Sequence, residues 1–412
     1  MSATLLMTPF FDQGLKSIKF FNGRLLSGED LTTEQDANRR AHERLGRAIG
    51  DGVVDGLEVT AQPSANAPTV TVQAGLAINR AGNAVRLVNA TDVALYASAA
   101  PAANAANVTP FAQCGPTAPG AFLSSSGVYL LTIQPASGTQ GRAPVLGLAD
   151  GSDKCNAKYV VEGVQFRLVL LPIGADVLAN TAQLRNAVAA QCFGVGLDPL
   201  VDPFGATPPV AAPAPPGLIE SLRPSTVSDC EVPLAIIGWS SSTGILFVDV
   251  WSARRRVARA EVADDTSIPI GDRWRALGEA VVLQFQDQLE SLIAGSPTTL
   301  AAASVFRYLP PLGLLPLASS SRTGFDPSSF FAGITTNGPI AIEGARANAM
   351  VRTSLDYPLI DLSSGEMFWL FQTRQNMAST TAIPFLFFVT GQMPYFGESR
   401  FDVAHVDRGA FT

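Results

Sequence analysis

The chain reads as a β-rich α+β protein, and three observations carry that reading. Its 412 residues include 36 Gly and 29 Pro, a turn content suited to many short strands. Long helical patterns occur at 28–49 and 270–294, while most other apolar residues alternate or run in strand-length pieces. Apolar residues make up 47% and charged residues only 15% of the chain, which calls for large cores or for surfaces meant to be covered.

The first helix is expected from Gly28 or Asp30 to Ile49. Ser27 followed three residues later by Asp30 resembles a capping box, with acids in the first turn where the helix dipole favours them. Leu31, Ala41, Leu45, Ala48 and Ile49 form a thin apolar face expected to pack on a sheet. Asp36–Arg40 and Glu43–Arg47 are expected ion pairs at i,i+4 spacing. Gly50-Asp51-Gly52 stops the helix. Strands Val53–Thr60, Thr69–Ala74, Gly75–Asn79 and Asn83–Leu87 follow as a compact antiparallel meander, with a turn at Arg80–Asn83. Residues 1–95 thus form an N-terminal helix and β-meander docking module.

The middle region, 96–198, is β-rich with an Ala/Pro-rich insertion at Ala97–Pro119. Val128–Gln134 and Gly163–Pro172 read as strands, the second as central and buried, and Asn180–Gln191 as a short helix. A Pro-rich linker spans 199–218, stiffened by polyproline II conformation. The C-terminal β-rich domain, 219–412, opens with a hairpin of Val232–Gly238 and Gly244–Trp251. Its long amphipathic helix, 270–294, carries Trp274, Leu277, Val281, Phe285, Leu289, Leu292 and Ile293 on one stripe. A further short helix is expected at Arg346–Leu355.

Catalytic signals are sparse. The only histidines are His42, on the charge-rich first helix, and His405, between Asp402 and Asp407. No GxSxG, HExxH or P-loop is present, and no cofactor is expected. Acid pairs Asp198/Asp202, Asp264/Asp265 and Glu398/Asp402 are the nearest approach to hydrolase chemistry, and loop acids at such spacing are usually solvated. Cys114, Cys155, Cys192 and Cys230 lack CxxC spacing, so no metal site is expected; free structural thiols and one or two disulfides both stay open.

Net charge is −7, with no basic stripe interleaved with aromatics, which argues against nucleic-acid binding. No run approaches the length that spans a bilayer, and the first residues lack a conventional secretion signal, so cytoplasmic synthesis is expected. The run Arg254-Arg255-Arg256 is the most distinctive cluster of charge. It suits an anchor on an acidic partner face or on a carboxylate of this chain, and equally a solvated strand end. Phe325, Phe330, Phe331, Phe385, Phe387, Phe388, Tyr395 and Phe396 give the C-terminal third an aromatic character, mostly core.

The opening FFNGRLLSGEDLTTEQDANRRAHERLGRAIGDGVVDGLEV resembles a family associated with contractile injection systems, phage-tail-like particles that drive a spike through a membrane. YLLTIQPA, VEGVQFRLVLLP, VPLAIIGW, ILFVDVWSARRRVAR, FRYLPPLGLLPL, FDPSSFFAG and PYFGESRFDVAHVD resemble further blocks of that family, in the same order. The loop in the 150s departs from it, because relatives are richer in cysteine there. The resemblance implies a non-enzymatic structural subunit at the baseplate periphery, in a baseplate extension or cage, or at a fibre attachment. Its partners would be other baseplate or spike proteins, in several symmetric copies assembled in the cytoplasm. A fibre-like receptor- or glycan-binding protein and a cell-wall hydrolase are the alternatives. The residues expected at the interface are Arg39, Arg40, Glu43, Arg44 and Arg47 on the first helix, with Arg254, Arg255 and Arg256.

Overall fold

The computed structural model describes residues 15–62, 68–96, 108–110, 120–144, 155–194, 217–258, 272–295, 300–316, 325–373 and 385–393. The fold is a mixed α+β arrangement rich in strands, as the turn content requires. An extended limb, 15–27, leads into α1 (Gly28–Ile49), whose bounds match the expected helix. The capping box is complete: the Ser27 hydroxyl accepts from the Asp30 amide, and the Asp30 carboxylate accepts from the Ser27 amide.

Six short strands follow: β1 (Gly52–Gly56), β2 (Val59–Ala61), β3 (Thr69–Val72), β4 (Gly75–Ile78), β5 (Ala84–Leu87) and β6 (Thr91–Ala94). They pair antiparallel but not as a simple meander. The orders are β1-β4-β5 and β2-β3-β6, so the chain crosses between the two small sheets three times.

The central sheet is built on β8 (Gly127–Pro144). β9 (Cys155–Leu170) pairs along one edge of β8 from Tyr129↔Leu170 to Pro144↔Cys155. On the other edge lie β10 (Val232–Ser240), paired with Gly127–Ile133, and β7 (Val108–Pro110), paired with Ala136–Gly138. β11 (Gly244–Asp249) closes the expected hairpin with β10. The central strand is therefore β8, and β9, expected at the centre, has β8 as its only strand partner among the described residues. The Pro-rich tract lies outside the described residues apart from 217–218, and strands on either side of it share this one sheet.

One face of the central sheet and the N-terminal strands bury a single core, which includes Val53, Leu57, Val70, Leu131, Ile133 and Leu234. The opposite face is covered by α2 (Ala175–Ala179), α3 (Leu184–Phe193) and α4 (Leu218–Ser221), with Val188 of α3 packed on Leu130 and Ile236 of the sheet in one core. At the heart of the sheet Arg167 and Glu231 form a buried ion pair at 2.6 Å, with Thr132 and the Ser228 amide completing the carboxylate's bonds.

The remainder packs around α5 (Asp272–Gly295). Then come α6 (Ala302–Val305), β12 (Tyr308–Leu309), β13 (Leu312–Leu315), α7 (Pro327–Phe330), β14 (Thr336–Ile342), α8 (Gly344–Ser354), β15 (Ile360–Asp361), β16 (Phe368–Thr373) and β17 (Phe385–Thr390). A four-stranded sheet runs β13-β17-β16-β14, parallel only between β14 and β16. Phe285 and Leu289 of α5 enter its core beside Phe306, Phe330, Phe331 and Phe388. The aromatics are thus core where their side chains are described, with ring centroids about 5 to 6 Å apart, mostly tilted or edge-on.

Candidate interaction surface

The candidate site is α1, because its burial is the reverse of what its sequence pattern predicts. The residues it buries are Ala37, Glu43 and Gly46. Contact with the β4–β5 turn is backbone to backbone: a Cβ on Gly46 would stand 2.1 Å from the Gly82 carbonyl oxygen. Gly82 is held at φ +88°, so neither glycine can be replaced without shifting the helix. The Arg47 Nε donates to the Ala81 carbonyl at 3.1 Å and fastens the helix end.

The apolar face expected to lie on the sheet points outward instead. Leu31, Leu45 and Ile49 are 50%, 63% and 59% exposed. The physical reason is the glycine pair: docking through Gly46 brings the Glu43 side of the helix down and turns the leucine side to solvent. The limb before α1 adds Phe20, Phe21, Leu25 and Leu26, all exposed, with Leu25 at 94%. It is tied to the first half of the helix by the Ile18 amide on Glu34 (2.9 Å) and by Arg24 on Asp30 (2.7 Å). The sequence signal for this surface is the pair Phe20-Phe21 and the pair Leu25-Leu26 in a low-charge chain, which the expected interface residues do not include.

The expected interface residues divide. Arg40, Arg44 and Arg47 are exposed, Arg39 is half-buried, and Glu43 is buried. Of the two expected ion pairs, Glu43–Arg47 forms at 3.9 Å, while Asp36 meets Arg39 at 3.3 Å rather than Arg40. A groove of about 450 Å³ runs beside the helix, lined by Arg39, His42, Glu43, Asn83, Arg86 and Glu162. In it the Glu43 Oε1 and the Asn83 Nδ2 have no hydrogen-bond partner among the described residues.

Arg254, Arg255 and Arg256 are engaged within the chain. Arg254 reaches Glu58 at 3.4 Å and lies over the Trp251 ring. Arg255 donates to the Trp251 carbonyl at 2.6 Å and lies over Phe193. Arg256 meets Glu279 of α5 at 2.6 Å. The backbone of this run bonds β1, with the Val53 amide on the Arg255 carbonyl at 2.8 Å. Of the readings open for this run, the carboxylate of the same chain is the one realised for Arg254 and Arg256. The run clasps the N-terminal strands, the central sheet and α5.

Behind the clasp lies a cavity of about 240 Å³, lined in part by Arg80, Cys192, Phe193, Arg223 and Arg255. Burial opposes the charge of Arg80, but Glu220 and Asp51 outweigh it and hold its pKa above the ordinary arginine value. Arg223 is pulled below that value by burial first and by Arg80 second. Cys192 is a free thiol, and burial pushes its pKa up to about 12. Cys230 stands in a disulfide, so of the two readings left open for the cysteines a bridge holds for Cys230 and a free thiol for Cys192.

His42 is exposed on α1 at the rim of the groove. His405, Asp402, Asp407, Glu398, Asp198, Asp202, Asp264, Asp265, Tyr395 and Phe396 lie outside the described residues. Among the described residues no group of three or more His, Cys, Asp or Glu side chains is placed to hold a metal ion. No helix among them is long and apolar enough to cross a membrane. No family model matches the chain, and no curated protein matches it.

Proposed function

We propose that this chain is a non-enzymatic structural subunit of a contractile injection particle, at the baseplate periphery or in a baseplate extension or cage, joined to its neighbours through α1 and the limb before it. The observation that carries the reading is the 22-residue helix that buries one narrow glycine-centred face and presents Leu31, Leu45 and Ile49 outward. A helix is stabilised mainly by packing an apolar face, so an outward face of this kind implies a cover. The kind of assembly is inferred from the sequence blocks that resemble the particle family. The disulfide at Cys230 suits a protein whose working life is spent in an oxidising environment after cytoplasmic assembly. Gradient-purified particles analysed by mass spectrometry should contain the chain in fixed ratio to sheath and tube. Its absence from intact particles overturns the proposal.

A second reading, a fibre-like receptor- or glycan-binding protein of the same particle, draws on one feature. The β8–β9 ribbon continues past its last β7 contact at Gly138, and it exposes Tyr159, Val160 and Val161. Binding of the purified chain to a glycan array, lost on Tyr159→Ser, would favour that reading over the first.

A further inference from the structure

We infer that the cover of α1 is α1 of a second copy of this chain, packed antiparallel across a two-fold axis. The inference deepens the docking role given to α1 and does not need the particle to be the right assembly.

Three features of the helix argue for it. First, Leu31, Asn38 and Leu45 recur at seven-residue spacing, and Ile49 follows Leu45 by one turn, so the four share an outward stripe. The middle of the stripe is polar, with Gln35, Asn38 and His42 on the same face and all exposed. Second, charge divides along the helix. Glu29, Asp30, Glu34 and Asp36 occupy the first half without a basic residue. Arg39, Arg40, Arg44 and Arg47 occupy the second, where the one acid, Glu43, is buried. Antiparallel packing opposes the helix dipoles and sets the acidic half of each helix against the basic half of the other. This is a long-range effect of the halves rather than of pairs across the seam, because Arg40, Arg44 and Arg47 stand on the side of the helix away from Leu31. Parallel packing sets like on like. Third, the apolar residues stand at the two ends of the stripe. An antiparallel crossing near Asn38 and His42 therefore seats Leu31 of each copy in the notch between Leu45 and Ile49 of the other. The same surface patch serves both copies, as a two-fold contact requires.

Exposed charge pairs contribute little affinity, so the leucines supply the binding and the charges the orientation. The test uses the full chain. Sedimentation equilibrium should show dimers, and Leu45→Glu should raise the dissociation constant about tenfold or more, with the thermal midpoint of each subunit unchanged. Orientation is read by mild oxidation of two differently tagged variants, Leu31→Cys and Leu45→Cys. Antiparallel packing gives a disulfide only when the two are mixed, because each position is roughly 18 to 24 Å from its own copy at 1.5 Å per residue. Homodimer disulfides from each variant alone indicate parallel packing and overturn the inference. A wild-type chain that stays monomeric to ~100 μM, a concentration high enough to populate weak pairs, also overturns it, leaving a different protein as the cover. Neither result bears on whether the chain is found in purified particles.

Discussion

The two long helices, α1 and α5, are nearly equal in length, 22 and 24 residues, and have opposite fates. α5 turns Ala276, Ala280, Val281, Phe285, Leu289 and Ile293 inward, and its apolar stripe is spent within the chain. α1 turns Leu31, Leu45 and Ile49 outward and holds its own module through Gly46. What separates them is where the close contact falls, not the amphipathic pattern. α5 also meets backbone at Gly278, against the Leu355 carbonyl oxygen, but seven residues from Phe285 and so on its stripe, whereas Gly46 lies to the side of Leu45. A stripe of large residues needs a concave cover, which the β13–β17 sheet gives α5. A glycine facing a glycine lets backbone meet backbone, and α1 takes that contact at the expense of its leucines. One helix is thus a core element and the other an exported surface.

The strongest way to break the comparison is within α5. Phe285→Ala removes a ring packed 5.3 Å from Phe306 and 5.4 Å from Phe388. It should cost about 3–5 kcal/mol in urea unfolding; a cost below 1 kcal/mol would mean that α5 is not the core helix described. Next comes Gly46→Ala. The new methyl collides with the Gly82 carbonyl and should cost about 1–3 kcal/mol, or release α1 with faster amide exchange across 28–49. Ser27→Ala removes the N-cap and should cost about 1 kcal/mol, confined to the first turn of α1.

A pH effect belongs to the same turn. Hydrogen bonds from Ser27, and Arg24 after them, hold the Asp30 carboxyl below its usual value. A lowered folded-state pKa means a contribution fully present above the unfolded value, near 3.9, and lost as pH falls through the lowered folded value. The first turn should therefore keep its amide protection at pH 5 and fray in stronger acid, and the Asp30→Asn variant should show no such step. Smallest in stability is Leu45→Ser. It should change the unfolding free energy by less than about 0.5 kcal/mol, because the side chain is 63% exposed, while weakening association.

Much of this was legible in the sequence. The limits of α1, its capping box, the β10–β11 hairpin and α5 follow from capping residues, turn residues and period, which act locally. Sheet neighbours do not follow from local signals. The pairing of β8 with β10 joins Ile133 to Val232 across the Pro-rich tract, and nothing in either strand names its partner. The helix face was misassigned for a related reason. Leu31, Leu45 and Ile49 form the apolar stripe by any periodicity argument, yet Gly46 decided the packing through the position of Gly82, a tertiary fact. The arginine run was visible as a cluster, but its partners Glu58 and Glu279 lie far from it in the chain, so its role as an internal clasp was open until the fold was known.

The outward face of α1 can be probed directly by maleimide labelling of a Leu45→Cys variant, first as dilute free chain and then within purified particles. The account predicts rapid labelling of the dilute chain and strong protection in the assembly, with Cys192 unlabelled in both because it is buried. Equal labelling rates at position 45 in the free and assembled states would contradict it.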